Sequence, residues 1–430
     1  MTETVLDRFL RYVKVHTTSD RDSKGTPSTE RQWTLLRMLA DELRALGIAD
    51  VKITPHGFVL ATLPANVGKK LPTVAFFAHV DTVQDFSGEG VKPIVHRKWN
   101  GKPIVLPDDR SQVIDPAKYA DMARAVGKDL VTASGTTLLG ADDKSGVAVV
   151  MTFAAHLIAH PEIPHGPIRL CFNPDEEIGH GVDKLDFAEL GADVAYTLDG
   201  ENPGEVNWET FSGDGAVLTI DGVSTHPGEG RKYKMVSALK LAARLIAALP
   251  AENNSPETTD GRQGYIHPTD IAGNVAHADV RFILRDHDND LLKAKGDQLR
   301  GLVKGLQAAE PRAKFKLRIT PQYRNMGYWL CNNMLPVGLA DEAIRAIGLE
   351  PFHQPTRGGT DGSRLTERGL PTPNLFCGAH NSHGPHEYAC VQDMEQSVQM
   401  LIALAKLWAE KGAGYKNKTK DSQRPPQVIH

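Results

Sequence analysis

Cysteine is scarce in this chain, and what there is does not pair. Four cysteines, Cys171, Cys331, Cys377 and Cys390, stand among 430 residues with no CxxC spacing. That argues against a disulfide scaffold and against a thiolate zinc site, and leaves small buried apolar side chains as the plainer reading of all four. No apolar run approaches the roughly 20 residues that a helix needs to span a bilayer. Met1 to Phe9 is acidic and amphipathic and has no signal-peptide core. A cytoplasmic protein with no membrane partner is therefore expected. Long runs of single-sign charge are also missing, and the formal net charge is only −4, so nucleic acid is not an expected partner. There is no internal repeat. Hydrophobic residues at 40% and charged residues at 24% describe an ordinary globular chain. Its length exceeds what one core usually holds and suits two domains, or one domain with an insertion. Residues 413–430, rich in Lys, Gln and Pro, read as a disordered tail.

What is present is an alternation of strand and helix patterns. Residues 5–12 and 30–46 carry helical spacing, and Gly47 stops the second stretch. Residues 51–63 alternate as a strand pair around Gly57. Residues 73–78 form a continuous apolar run, as expected of a central strand covered on both faces. Residues 85–129 are irregular and rich in Gly, Pro and Asp, and a loop of that length has a functional or capping role. A helix over 143–159 ends at Pro161, and apolar strands follow at 168–172 and 194–198. This predicts an α/β domain with a mixed, largely parallel sheet flanked by helices. Near Phe211 the pattern changes to strand 216–221, helix 236–249, strand region 271–285, helix 289–306 and strand 315–319. That βαββαβ-like order suits a small α+β unit with an antiparallel sheet. From about Tyr323 the α/β character returns, with helix 335–347, a strand near 374–376 and a last helix at 393–411. The expected organisation is one domain from 1–210 and 323–412, with 211–322 inserted in it.

Acids and histidines stand where the apolar strands should end. His79-Val80-Asp81 follows the first run, and on an extended backbone its two functional groups face the same way. A carboxylate two residues from an imidazole suits a metal-ligating histidine oriented by its neighbour, although HxD alone also fits a satisfied histidine at a strand end. Gly140-Ala141-Asp142-Asp143-Lys144-Ser145-Gly146 sets two adjacent acids before a helix. N-capping explains one of them but not both together with the flanking glycines, and a carboxylate here could bridge two metals, one through each oxygen. Asp175-Glu176-Glu177-Ile178-Gly179 is either a solvated acidic turn or a division of labour, one Glu ligating metal and the other free as a general base. Asp199 closes a third strand, and His380 to Glu387 contains three histidines of which one or two need be ligands. The joint argument is stronger than any part, because α/β proteins bind ligands at the carboxyl ends of their strands and clustered acids demand a cation. Imidazole and carboxylate without thiolate favour zinc, with manganese and cobalt also fitting.

With those residues in place, the chain resembles the di-zinc exopeptidases, the family that includes glutamate carboxypeptidase, aminoacylase and succinyl-diaminopimelate desuccinylase. The motifs around His79 to Thr82, Gly140 to Gly146 and Asp175 to Gly179, together with Thr225-His226-Pro227-Gly228 and Arg357-Gly358-Gly359-Thr360-Asp361-Gly362, occur in the family's order. The resemblance covers residues 1–412 and implies that 211–322 is the family's lid. It implies His79 and Asp199 on one zinc ion, Glu177 and His383 on the other, and Asp142 bridging both. Glu176 would be the general acid/base, Asp81 would orient His79, and the Asp142–Asp143 peptide would be cis. His383 is preferred over His380 and His386 because the family sets this ligand four residues before a Glu, here Glu387. His226 would stabilise the oxyanion, while Asn274, Arg285 and Arg357 would grip substrate, Arg285 being preferred over Arg281 by its place at a strand end. Asp143 departs from the family, which often has Asn or Gly nearby. Residues 79–88 and 138–146 are similar to the family's tripeptide aminopeptidases. This implies release of the N-terminal residue of a tripeptide by a hydroxide activated between two Zn2+ ions. A related dipeptidase, carboxypeptidase or N-acyl amino acid deacylase is the alternative, and a homodimer through the lid is a further implication.

Overall fold

A computed structural model describes residues 3–419. The chain divides into two compact units. Of the described residues, the first holds 3–208, Trp329–Gln354 and 360–419, and the second holds Glu209–Tyr328 and Pro355–Gly359. The sequence pattern sets the changeovers at 210/211 and 322/323; in the structure they fall at 208/209 and 328/329. The sequence carries no signal for the short return of 355–359 to the second unit.

The first unit is built on a seven-stranded sheet. Its spatial order is Val51–Ile53, Val59–Leu63, Ile168–Asn173, Val74–His79, Val194–Gly200, Asn374–Phe376 and Val206–Asn207. The four middle strands are parallel, and the outer pairings are antiparallel. Val74–His79 is buried at every residue, which explains its unbroken apolar run. Alternate side chains feed opposite layers. Phe76 packs edge-on to Phe153 of helix Ala141–Ala159 and stacks on Tyr196, with ring centroids 5.2 and 5.9 Å away. Ala75 and Phe77 point into a separate cluster with Phe58, Cys171, Leu185 and Leu365. Truncating either phenylalanine to alanine would cost about 3–5 kcal/mol. Helix Val391–Lys411 joins Ala141–Ala159 in the larger layer through Leu401, Leu404 and Trp408.

Two expectations are corrected in this unit. Much of the irregular stretch 85–129 folds: Ile94–His96 pairs with Leu130–Thr132 in a second, four-stranded sheet that also contains Ala379–His380 and Tyr388–Cys390. Trp99, Ile104, Leu106, Ile114 and Met122 give this part its own small core. Widely spaced single apolar residues hid it from a periodicity argument. The tail expected from 413 is packed as far as Thr419. There the Tyr415 ring lies against Trp408, the Tyr415 hydroxyl accepts from Asn333 (2.8 Å), and Asn417 donates to Gly369 (2.8 Å). The rest of that tail, 420–430, lies outside the described residues.

The second unit has a four-stranded antiparallel sheet in the order Tyr265–Gly273, His277–Asp286, Ser212–Asp221, Lys314–Tyr323. Helices Ala238–Ala247 and Asn289–Ala309 complete the βαββαβ order. Along His277–Asp286 the residues Ala278, Val280, Phe282 and Leu284 are buried, while His277 and Arg281 are exposed. That alternation is what a sheet with one covered face requires. The single strand region expected over 271–285 is a hairpin. It turns at Gly273, whose φ of 153° is open only to glycine, and at Asn274, whose side chain accepts from the N–H groups of Ala276 and His277 (2.8 and 3.2 Å).

Candidate metal centre

Three parallel strands end side by side and deliver the first groups. His79 closes Val74–His79 and is in register with Asn173, the last residue of Ile168–Asn173. Two residues later Asp175 turns the chain into the short 3-10 segment Glu176–Ile178. Asp199 lies near the end of Val194–Gly200, and its N–H is held by Asn374 (3.0 Å). Asp142 precedes the regular part of helix Ala141–Ala159, and its peptide bond to Asp143 is cis. Gly146 lets this helix approach the neighbouring strand, since a β-carbon there would sit 2.2 Å from the Leu198 carbonyl. His383 comes from the loop between Ala379–His380 and Tyr388–Cys390, with a positive φ of 71°.

These side chains converge. His79 Nε2 lies 3.0 Å from Asp142 Oδ1 and 3.8 Å from Asp199. His383 Nε2 lies 3.3 Å from the other Asp142 oxygen and 3.1 Å from Glu177 Oε2. The ligand atoms of His79, Glu176 and Asp199, and those of His79, Asp142 and Glu177, each fall within 4.8 Å of one another. Asp81 is fully buried. Its backbone carbonyl and one carboxylate oxygen lie 3.2 and 3.4 Å from His79 Nδ1, and its two carboxylate oxygens accept from the N–H groups of Glu176 and Glu177 (2.9 and 3.3 Å). It thus touches the imidazole and also holds the turn that carries both glutamates.

The electrostatics describe a cluster short of positive charge. Burial, then the neighbouring Asp361, pushes the Glu176 carboxyl well above its usual range. Burial and Asp142 lift Glu177 to about 7 and Asp199 to about 6. Burial acts the same way on Asp142, but its bonds to His383 and His79 outweigh this and leave it below the carboxylate range. Bonds to Asp142 and Glu177 raise His383 to about 11. Burial alone would depress His79, yet its bonds to Asp142, Asp199 and Asp81 carry it well above normal. Glu177 Oε1 is buried without a partner, an arrangement that a bound cation completes. The donors are imidazole and carboxylate, which fits zinc and its first-row neighbours.

Sequence reasoning passed over several residues here. Asp361 is buried beside His79, Glu176 and Asp199, accepts from Asn173 (2.6 Å), and is raised to about 7 by burial. Glu387 served only to mark His383; its buried carboxylate accepts from the N–H groups of Leu139, Gly140 and Asp142 (2.7, 2.7 and 2.9 Å). Asp143 accepts from the N–H of Gly146 and of His79 (3.0 and 3.2 Å), so the extra acid is structural. Lys144 is buried and donates to the Val15 carbonyl (2.8 Å).

The four expected substrate contacts all belong to the second unit. His226 is exposed, and its Nδ1 accepts from Gly228 (3.2 Å). Asn274 holds the hairpin turn. Arg285 donates through Nη1 to the Leu284 and Asp214 carbonyls (2.9 and 3.3 Å) and lies over Tyr323. Arg357 donates to the carbonyls of Gly261, Gln263 and Thr259 and packs against Phe211 and Tyr265. Its guanidinium thus ties 355–359 to the rest of the unit.

Comparison with known proteins agrees with this geometry. Residues 138–407 match the family model described as peptidase family M20/M25/M40. The chain belongs to that family. A peptidase T from Geobacillus thermodenitrificans is 42% identical to this M20-family chain over 411 residues, 96% of this chain and all of that protein. The fold is also that of a crystallised aminopeptidase PepT from Bacillus cereus, with TM-score 0.72, 22% identity, and 95% and 98% of the two chains covered. A Bacillus subtilis M20 peptidase described as dinuclear metal binding superposes with TM-score 0.63 at 15% identity over 94% and 98% of the chains. The family is metal-dependent, and the donor set of this member fits that chemistry. No helix among the described residues is long and apolar enough to cross a membrane.

Proposed function

We propose that this chain is a metal-dependent aminopeptidase that releases the N-terminal residue of tripeptides, a reading supported by relatives named peptidase T and by structural neighbours named aminopeptidase PepT and tripeptidase. One observation carries the metal part of the reading. The two oxygens of Asp142 are faced by different histidines, His79 on one side and His383 on the other. If two zinc ions bind here, His79 and Asp199 would hold one, Glu177 and His383 the other, and Asp142 would serve both. A divalent metal held there would supply a bound water with a pKa of about 7 and polarisation of the carbonyl.

The chain's own groups supply the rest. Glu176 takes the proton from the attacking water and returns it to the leaving amine. Its backbone is fixed by Asp81 while its carboxylate accepts no N–H among the described residues, so it is positioned and still free to move a proton. His226 is the proposed oxyanion donor. Because its Nδ1 accepts a hydrogen bond, the neutral ring carries its proton on Nε2 and offers an N–H there. Arg285 and Asn274 are the proposed substrate contacts. Arg357 is the weaker one, being committed to three carbonyls. Cytoplasmic location and pairing of two copies through the second unit complete the reading.

The test is hydrolysis of a free tripeptide, its N-acetylated form, dipeptides and acylated amino acids, before and after chelation. The expected result is cleavage of the free tripeptide alone, lost on chelation and restored by zinc. Equal cleavage of the acetylated form, or turnover by protein shown to be metal-free, overturns it.

A further inference from the structure

The turn that carries Glu176 and Glu177 is held at a second point, by a part of the chain far away in sequence. Asp175 has a left-handed backbone, φ 62° and ψ 24°, and a fully buried carboxylate. Such a conformation is sparsely populated by non-glycine residues and persists where surrounding contacts over-determine it. Those contacts come from Ser28 and Gln32. The Ser28 N–H donates to both Asp175 oxygens (3.0 and 2.8 Å), and its hydroxyl donates to one of them. Gln32, the fully buried first residue of helix Gln32–Ala45, donates Nε2 to the same carboxylate (2.7 Å) and accepts the Asp175 N–H on Oε1 (3.2 Å). Gln32 Nε2 also reaches the hydroxyls of Ser28 and Thr29, both at 3.2 Å. The amide of Gln32 thus meets one donor and one acceptor of a single residue, a pairing that specifies both its rotamer and the Asp175 backbone.

We propose that Ser28 and Gln32 are positioning residues for catalysis, acting through Asp175 to set the Glu176–Glu177 turn. The need for such a clamp is electrostatic. Glu176 and Glu177 face Asp361, Asp199 and Asp142 across a buried space, and like charges drive the turn outward. Asp81 holds the N–H groups of residues 176 and 177, and the Ser28–Gln32 pair holds residue 175, so the turn is gripped on both sides of its start. A misplacement of about 1 Å at a reacting group is enough to cost ~100-fold in rate. The proposal rests on Glu176 being the proton-transferring group.

The experiment uses the full-length, zinc-loaded enzyme with Gln32→Met, which keeps the volume of the side chain and removes both of its bonds to Asp175. Ser28→Ala removes only a hydroxyl. Expected for Gln32→Met is a fall in kcat of roughly 30–100-fold with KM for the tripeptide changed less than about threefold. For Ser28→Ala the fall is roughly 3–10-fold. Combining Gln32→Glu with Asp175→Asn exchanges the carboxylate and amide and is expected to recover at least a third of the lost kcat. Circular dichroism and metal analysis accompany each variant. If folded, fully metallated Gln32→Met keeps wild-type kcat, the proposal is wrong. If Gln32→Met does not fold, wild-type kcat in Ser28→Ala together with no recovery in the exchange pair overturns it equally. Glu176→Gln runs in parallel: if that variant keeps its turnover the functional reading fails, whereas if it is inactive and Gln32→Met is not impaired only the clamp fails.

Discussion

The acids within the centre are partly open where those around it are buried, and the two sets are quite differently partnered. Around it, Asp81, Asp143, Asp175 and Glu387 each accept at least one backbone N–H, and Glu387 accepts three. Within it, the carboxylates of Asp142, Glu176, Glu177 and Asp199 accept no backbone N–H among the described residues and face one another and two imidazoles. The difference teaches how to sort carboxylates in such a cluster. One that is satisfied by amides is part of the scaffold, and one that is satisfied only by its neighbours' protons has a place kept for a cation or a reacting group.

The sharpest way to break this comparison is at Glu176. Glu176→Gln is expected to lower kcat by about 10³-fold with metal content unchanged, because general acid–base catalysis contributes roughly 10²–10⁴; steady-state kinetics with metal analysis checks it. Next in size is the scaffold. Glu387→Gln leaves one of three N–H groups poorly matched and is expected to weaken metal affinity about 10–100-fold, with activity recovered at excess zinc. A competition titration against a chelator measures it, and failure of excess zinc to restore turnover would erase the distinction between the two sets.

A smaller effect follows from charge. Burial and Asp142 raise Glu177 to about 7 and Asp199 to about 6 in the metal-free protein. Carboxyls with raised folded pKa values contribute stability that is present below their unfolded values and lost as pH rises through 6 to 7. The bonds that raise His383 act in the same direction. Metal-free protein is therefore expected to melt several degrees lower at pH 8 than at pH 5, and the gain on adding zinc is expected to grow across that window, as calorimetry would show. The second unit supplies the opposite sign. Burial, then the charge of Arg262, lowers His287 to about 4. A depressed histidine contributes stability present above its unfolded value and lost as pH falls from about 6.5 through 4, worth about 3 kcal/mol. Acid unfolding of His287→Gln is expected to be flatter over that range.

How much of this was legible in the sequence depended on sequence distance. Strands and their terminal polar groups were readable because a buried strand writes a continuous apolar run and the acid or histidine stands directly at its end, as at His79 and Asp199. The βαββαβ order of the second unit was readable for the same local reason. Asp175 was not, since its partners at Ser28 and Gln32 lie more than 140 residues away, and three acids in a row look alike until their donors are known. Asp361 stood inside a recognised motif, yet nothing local distinguishes an acid that enters a cavity from one that caps a helix. Arg357 shows the converse: an arginine suited to bind a carboxylate is also suited to bind three carbonyls, and only tertiary structure decides between them.

The grip of Glu387 on Leu139, Gly140 and Asp142 reaches across about 245 residues. On a ribosome, every strand of the main sheet is made before that glutamate leaves the exit tunnel. A nascent chain that stops short of it lacks the anchor of Asp142. The anchor of Asp142 is thus added only after the whole main sheet exists as chain.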